Sequence, residues 1–283
     1  LLNDLKLAGI ADPAAMLSVF EGLALAAGRE IMTVRAGGVT AETKSDLSPV
    51  TEADRRAEAV ILAGLGRSFP GIPVIAEEEV AAGRVPDIGD AAFILVDPLD
   101  GTREFVSGKD DFTVNIALVV NGYPAVGVVY APAHGRLWTG RPGQAETVEV
   151  EGERLSGRRT VSGGSCPARV RIVASASHRT SETDAFIARL PDYELIAFGS
   201  SLKFCLLAEG IADIYPRFGR TMEWDTAAGD AVLRAAGGVT FRMDGHVLSY
   251  GKFGQRFSKD FENPFFAAST GQAEWILRRN LAL

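Results

Sequence analysis

A run of apolar residues, Phe93 to Val96, passes directly into Asp97-Pro98-Leu99-Asp100-Gly101-Thr102, and this junction restricts the chain more than any other stretch. A short apolar run bounded by turn residues reads as a buried strand. Pro98 and Gly101 would then bend the chain so that both carboxylates and the Leu99 carbonyl converge on one point. Such hard oxygen donors suit Mg²⁺, which takes a few carboxylates and leaves its other positions to water and phosphate. The alternative is a plain turn in which Asp97 and Asp100 bond their own backbone.

Pro73 to Ala76 is a second run of this kind, closed by Glu77-Glu78-Glu79. Three acids in a row usually form a solvated turn. At the end of a buried strand beside Asp97, one of them would face inward, because catalytic groups of open sheets gather at strand ends. Thr51 and Asp54 fit a helix start in which each side chain meets the other's backbone. Asp54 would also reach the Thr102 hydroxyl and let it orient a water. Glu223-Trp224-Asp225 opens another expected helix, where acids are favoured electrostatically. Taken with Asp97 and Asp100, Asp225 would supply a second metal from the far half of the chain, and two-metal sites assist in-line displacement at phosphorus.

The organisation around these motifs is α+β. Met16, Leu17, Phe20, Leu23, Leu25 and Ala27 predict a helix over 14–36, stopped by Gly37-Gly38. A second helix starts after Ser48-Pro49 at Thr51 and ends at Pro70-Gly71. Strands over 113–120 and 125–130 meet at Asn121-Gly122, a dipeptide suited to a tight hairpin. The Gly-, Ser- and Arg-rich stretch 155–170 reads as a boundary or exposed loop. Beyond it strands (171–175, 193–198, 211–215) alternate with helices (181–190, 201–209, 224–236). The expected division is therefore an N-terminal α+β half, 1–155, and a C-terminal α/β half, 156–283.

A hydrophobic share of 47% supports a substantial core, and a net charge of −7 argues against binding a nucleic-acid polymer. No apolar run is long enough to span a membrane. Leu1 to Phe20 carries Asp4, Lys6 and Asp12 and lacks the pattern of a signal peptide, so the expectation is a cytoplasmic protein. Cys166 and Cys205 lack metal-ligand spacing and read as reduced, buried thiols. His134, His178 and His246 lie far apart in turn-like contexts and read as surface residues or as supports behind a site, not as metal ligands. Neither a G-x-S-x-G elbow nor a phosphate loop ending in Gly-Lys-Ser/Thr is present.

Asp54, Glu77-Glu78, Asp97-Pro98-Leu99-Asp100-Gly101-Thr102 and Trp224-Asp225-Thr226-Ala227-Ala228-Gly229, in this order, resemble the inositol monophosphatase superfamily of lithium-sensitive, Mg²⁺-dependent phosphatases. Within it the chain is most similar to the bacterial 3′(2′),5′-bisphosphate nucleotidases. That likeness is carried by Ser48-Pro49-Val50-Thr51, Gly101-Thr102-Arg103-Glu104-Phe105, Gly199-Ser200-Ser201-Leu202-Lys203-Phe204 and Tyr215-Pro216-Arg217-Phe218-Gly219. Arg103 stands where Lys is common, which keeps the charge and changes the contact geometry.

The resemblance implies a layered α/β/α/β/α sandwich and hydrolysis of 3′-phosphoadenosine 5′-phosphate to AMP during sulfur assimilation, by a monomer or homodimer. It implies one Mg²⁺ on Glu77, Asp97 and the Leu99 carbonyl, a second on Asp97, Asp100 and Asp225, and in some relatives a third through Glu77. Thr102 with Asp54 would activate water, and the Gly101 and Thr102 amides would receive the phosphate. Inositol phosphatases place an acid near position 217, whereas Arg217 suits a second phosphate; a surface arginine on a strand end is the alternative. Gly199, Ser200, Ser201, Lys203 and Arg103 would meet the remainder of the substrate, or Ser200 or Ser201 would simply cap a helix. Lys44 either shields the acidic cluster or stays solvated. An inositol or fructose-1,6-bisphosphate phosphatase is the neighbouring alternative, and a non-catalytic metal- or anion-binding protein the alternative of another class.

Overall fold

The computed structural model describes all residues except 1–4, 6–8, 45–48, 90–91, 153, 166–167, 176–178, 191 and 282–283, so the readings of Ser48, Cys166 and His178 lie outside the described residues. Helix α1 (Pro13–Gly37) starts where Asp12 accepts from the Ala14 and Ala15 amides at 2.9 and 3.0 Å. It buries Met16, Leu17, Phe20, Ala24, Ala27 and Ile31 along one face. A short antiparallel pair, β1 (Ala41–Thr43) and β2 (Pro49–Thr51), leads into α2 (Glu52–Ser68), which carries the expected capping box of Thr51 and Asp54.

Strand β3 (Val74–Ala76) is followed at once by α3 (Glu77–Ala81). Glu77 to Glu79 therefore open a helix, where the backbone dipole favours acids, and do not form the solvated turn that was the alternative to an inward-facing Glu. Strand β4 (Ala92–Asp100) also runs further than expected. Asp97 to Asp100 stay within it across a register irregularity, because Asp100 still pairs with Thr113. The bend comes at Gly101, whose φ of +94° precedes α4 (Thr102–Val106). A Cβ at Gly101 would lie 2.8 Å from the Asp111 carbonyl oxygen, so both conformation and space call for glycine.

Strands β5 (Thr113–Val120) and β6 (Tyr123–Ala131) form the expected hairpin, with φ of +50° at Asn121 and +78° at Gly122. Strands β7 (Arg136–Arg141), β8 (Gln144–Glu151) and β9 (Arg154–Val161) complete a seven-stranded sheet in the order β3 to β9, antiparallel except for β3 with β4. The stretch read as an exposed loop thus holds β9. Its side chains are largely exposed, and only backbone pairing with β8 makes it a strand.

The rest of the chain forms β10 (Val170–Ser175), α5 (Ser181–Ile187), β11 (Tyr193–Phe198), α6 (Leu202–Ala208), β12 (Ile214–Arg217), α7 (Ala227–Ala235), β13 (Val239–Arg242), β14 (Phe266–Ser269) and α8 (Glu274–Asn280). The second sheet has the order β11-β10-β12-β14-β13. Helices α1 and α2 cover one face of the large sheet. Helices α6 and α7 fill the space between the sheets, and α5 and α8 cover the far side of the small one. The layers are α/β/α/β/α, as the resemblance implies.

Candidate active site

Side chains alternate along a strand. In β4, Ile94 and Val96 pack towards α1 and α2, whereas Phe93 and Leu95 join the core between the sheets. Asp97 follows on the latter side, buried at 1% exposure, and its Oδ1 accepts from the Leu99 amide at 3.0 Å. Asp100 Oδ2 accepts from the Ser201 amide at 2.6 Å and the Ser201 hydroxyl at 3.0 Å. Asp225 sits in a turn just ahead of α7, not inside the helix expected over 224–236, and its Oδ2 accepts from the Met222 amide at 2.8 Å. The Lys44 ammonium reaches Glu77 at 2.7 Å and Glu78 at 2.6 Å, so Lys44 is paired, not solvated.

Glu77, Asp97, Asp100 and Asp225 act on one another electrostatically. Burial, followed by the charges of Glu77, Asp100 and Asp225, pushes the Asp97 carboxyl well above the usual range. Burial, then Asp100 and Glu77, raises Asp225 to about 8. Burial also raises Glu77; Lys44 pulls the other way, but Glu78 and Asp100 add to the rise. Among the described residues no three acidic, histidine or cysteine side chains close a ready ligand sphere. Each of the four carboxylates instead meets a donor of the chain.

Asp54 and Thr102 meet as expected. The buried Asp54 takes the Thr51 amide and hydroxyl on Oδ2, both at 2.7 Å, which leaves Oδ1 for the Thr102 hydroxyl at 3.1 Å. That hydroxyl stands equally far from the Leu99 carbonyl oxygen, 3.1 Å. Burial raises the Asp54 carboxyl, against the hydrogen bonds from Thr51.

One cleft is lined by Glu77, Asp100, Gly101, Thr102, Arg103, Gly199, Ser200, Ser201, Lys203, Arg217 and Asp225. Ser201 occupies the cap position of α6 but makes no capping bond; its hydroxyl goes to Asp100 and to the Asp225 carbonyl oxygen. Ser200 has φ of +51°, and its carbonyl accepts from the Lys203 ammonium at 2.5 Å. Lys203 is buried with its ammonium 5.3 Å from the centre of the Tyr215 ring. Burial lowers its pKa to about 8. Arg217 lies at the end of β12, where it donates to the Arg220 carbonyl at 3.1 Å.

Two supports of this loop escaped sequence reasoning. Thr113 meets the Ser200 hydroxyl at 2.7 Å, and Asn115 donates to the Ser201 hydroxyl at 2.9 Å. The signal was there: alternating polar residues in an otherwise apolar strand, on the face that does not meet α1. Of the histidines, His134 is exposed and contacts Asp111 at 3.1 Å, and His246 is 78% exposed. Cys205 is a buried free thiol, raised by burial.

The sequence profile of the inositol monophosphatase family matches residues 12–278. The 3′(2′),5′-bisphosphate nucleotidase CysQ of Salmonella typhimurium is 42% identical over 238 residues, covering 81% of this chain and 91% of its own. That of Escherichia coli O157:H7 is 40% identical, covering 87% and 96%. Among solved structures, CysQ from Bacteroides thetaiotaomicron, a bacterial member of the inositol monophosphatase family, superposes with a TM-score of 0.72 at 34% identity, over 91% of this chain and 97% of that one.

Proposed function

The chain belongs to the inositol monophosphatase family, and from that membership we propose that it is a Mg²⁺-dependent 3′(2′),5′-bisphosphate nucleotidase that converts 3′-phosphoadenosine 5′-phosphate to AMP and phosphate. The observation that carries this reading is the polarity of the cleft. The carboxylates of Glu77, Asp100 and Asp225 line it together with the cationic Lys203 and Arg217. The Arg217 Nε is buried without a hydrogen-bond partner among the described residues. An unpaired buried donor of a fixed cation suits a second phosphate and not a sugar hydroxyl alone.

Glu77, Asp97, Asp100 and Asp225, with the Leu99 carbonyl, are the groups we assign to two or three Mg²⁺. All are hard oxygen donors, and burial together with their mutual repulsion raises the Asp97, Asp225 and Glu77 carboxyls, a strain that a bound divalent cation would relieve. Mg²⁺ held there supplies a polarised phosphate and a more acidic water. Asp54 holds the Thr102 hydroxyl, whose oxygen then accepts from the attacking water and aims it. We assign the Gly101 and Thr102 amides to the departing phosphate, and Arg103, Gly199, Ser200 and Lys203 to the remainder of the nucleotide. In this reading the halves 1–155 and 156–283 share one cleft, in a cytoplasmic enzyme.

Phosphate release from 3′-phosphoadenosine 5′-phosphate, inositol 1-phosphate and fructose 1,6-bisphosphate tests the proposal. The nucleotide is expected to be preferred by at least about tenfold, as fits one charge-assisted contact. Equal rates would point to a broader sugar or inositol phosphatase. No Mg²⁺-dependent turnover at all would point to a non-catalytic metal- or anion-binding protein.

A further inference from the structure

We infer that Asn263 is a positioning residue for Asp225, bracing from outside the cleft the turn that presents this carboxylate; the inference rests on the reading of Asp225 as a Mg²⁺ ligand. Asp97 and Asp100 are carried by β4, whose backbone pairing holds them in place. Asp225 has no such support, because it stands in a turn that precedes α7. Its aim depends on the Met222 amide, which donates to Oδ2 at 2.8 Å, and on the Met222 carbonyl, which accepts from the Asp225 amide at 3.2 Å.

Asn263 holds both ends of that turn. Its side-chain amide donates to the Met222 carbonyl at 2.8 Å and to the Thr226 hydroxyl at 3.0 Å, and stands 3.3 Å from the Thr221 hydroxyl. Its backbone amide donates to the Thr221 carbonyl at 2.9 Å. The side chain is 6% exposed and does not line the cleft, so it acts through the turn and not on a substrate.

Glu223 anchors the turn to the same segment from the other side. Its fully buried carboxylate accepts from the Gly251 and Lys252 amides at 2.6 and 2.9 Å and pairs with the Lys252 ammonium at 2.6 Å. Its own amide donates to the Phe261 carbonyl at 2.7 Å. The segment 251–263 thus serves as a bracket for the Asp225 turn, and Asn263 is the member whose donors reach both ends.

The test is Mg²⁺ titration calorimetry on metal-free protein, comparing the native chain with Asn263→Asp, which keeps the shape but loses the donors, and Thr226→Val, which removes one acceptor. The Mg²⁺ dissociation constant is expected to rise about tenfold in the first, the low end of the range for residues that orient a ligand, and about threefold in the second, where only one of the contacts is lost. The added negative charge of Asn263→Asp would by itself tighten Mg²⁺, so weaker binding cannot come from charge. At saturating Mg²⁺ the KM for 3′-phosphoadenosine 5′-phosphate is expected to stay within about twofold, because no substrate contact is lost. Unchanged Mg²⁺ affinity in either folded variant, with loss confined to the unfolding midpoint or to kcat, would overturn the inference. A native chain that binds Mg²⁺ but leaves the nucleotide intact would instead sink the nucleotidase reading, and the calorimetric comparison would still decide the role of Asn263.

Discussion

The Ser201 hydroxyl oxygen lies 2.5 Å from the backbone carbonyl oxygen of Asp225 and 3.0 Å from the Asp100 carboxylate. One hydroxyl therefore ties an acid of the large sheet to the turn that carries an acid from the other half of the chain. Asn115 donates to the same oxygen, so the Ser201 hydrogen is left for those two acceptors. Ser201→Ala cuts this link while the Ser201 amide keeps its hold on Asp100. Loss of a buried hydrogen bond of about 1 kcal/mol predicts a Mg²⁺ affinity lower by roughly fivefold to tenfold. A Mg²⁺ titration of activity that superposes on that of the native chain would count against the link.

Asp97→Asn should separate stability from activity. The buried Asp97 carboxylate is disfavoured by burial and by three neighbouring acids. The asparagine oxygen can still accept from Leu99. Metal-free protein should gain about 1–3 kcal/mol, as expected when an uncompensated buried charge is removed. Turnover should fall at least about a hundredfold if the proposed assignment of Asp97 to Mg²⁺ holds. Thermal unfolding in chelator, together with phosphate release, checks both; a less stable variant would contradict the electrostatic account.

Mg²⁺ binding should release protons. Asp225 titrates near 8 in the metal-free chain, so at pH 7 much of it is protonated, and a ligand must be deprotonated to bind. Affinity should therefore climb as pH rises through 8, with no plateau set by Asp225 alone, because the Asp97 carboxyl is raised as well. Adding Mg²⁺ at pH 7 to weakly buffered protein with an indicator dye should acidify the solution, and no proton release would mean that Asp225 is not displaced from its acid form.

Glu58 offers a pH-dependent stability effect. Burial, with help from Glu78, Glu79 and Glu77, raises it from 4.5 to about 7 despite the bond it accepts from the Glu78 amide. The folded state binds this proton more tightly than the unfolded one, so the cost of ionisation is absent below pH 4.5, grows between 4.5 and 7, and is complete above. Glu58→Gln keeps the acceptor and should add about 1–3 kcal/mol at pH 8 and little at pH 5. Melting curves at the two pH values suffice; equal shifts would refute the assignment.

Gly127 and Gly140 face each other across β6 and β7 and let α7 lie directly on the sheet. A Cβ at Gly140 would come within 2.6 Å of Val232 Cα and 2.7 Å of the Ala231 carbonyl oxygen. Helix backbone cannot yield as a side-chain tip can, so Gly140→Ala should cost about 1–3 kcal/mol. It should also weaken Mg²⁺ binding, because the Asp225 turn rides on α7. An unaltered melting midpoint would show that the helix moves freely.

What could be read along the chain was whatever neighbouring residues signal to each other. Helix α1, the Thr51-Asp54 cap and the Asn121-Gly122 turn are local events, whereas Glu77 to Glu79 and Asp225 read locally as a turn and a helix cap, and only their order along the chain beside Asp97 and Asp100 suggested a common site. Pairing between segments was not readable in this way. The strand character of Asp97 to Asp100 depends on Thr113, and that of β9 on β8, whose backbone bonds leave no mark on the polar side chains of 154–161. The sequence determined which acids exist and in what order. Tertiary structure decided that Lys44 answers Glu77, that Ser201 spans Asp100 and Asp225, and that Asn115 and Asn263 stand behind them, because each of those bonds joins residues more than twenty positions apart in the chain, which only the folded arrangement brings within about 3 Å.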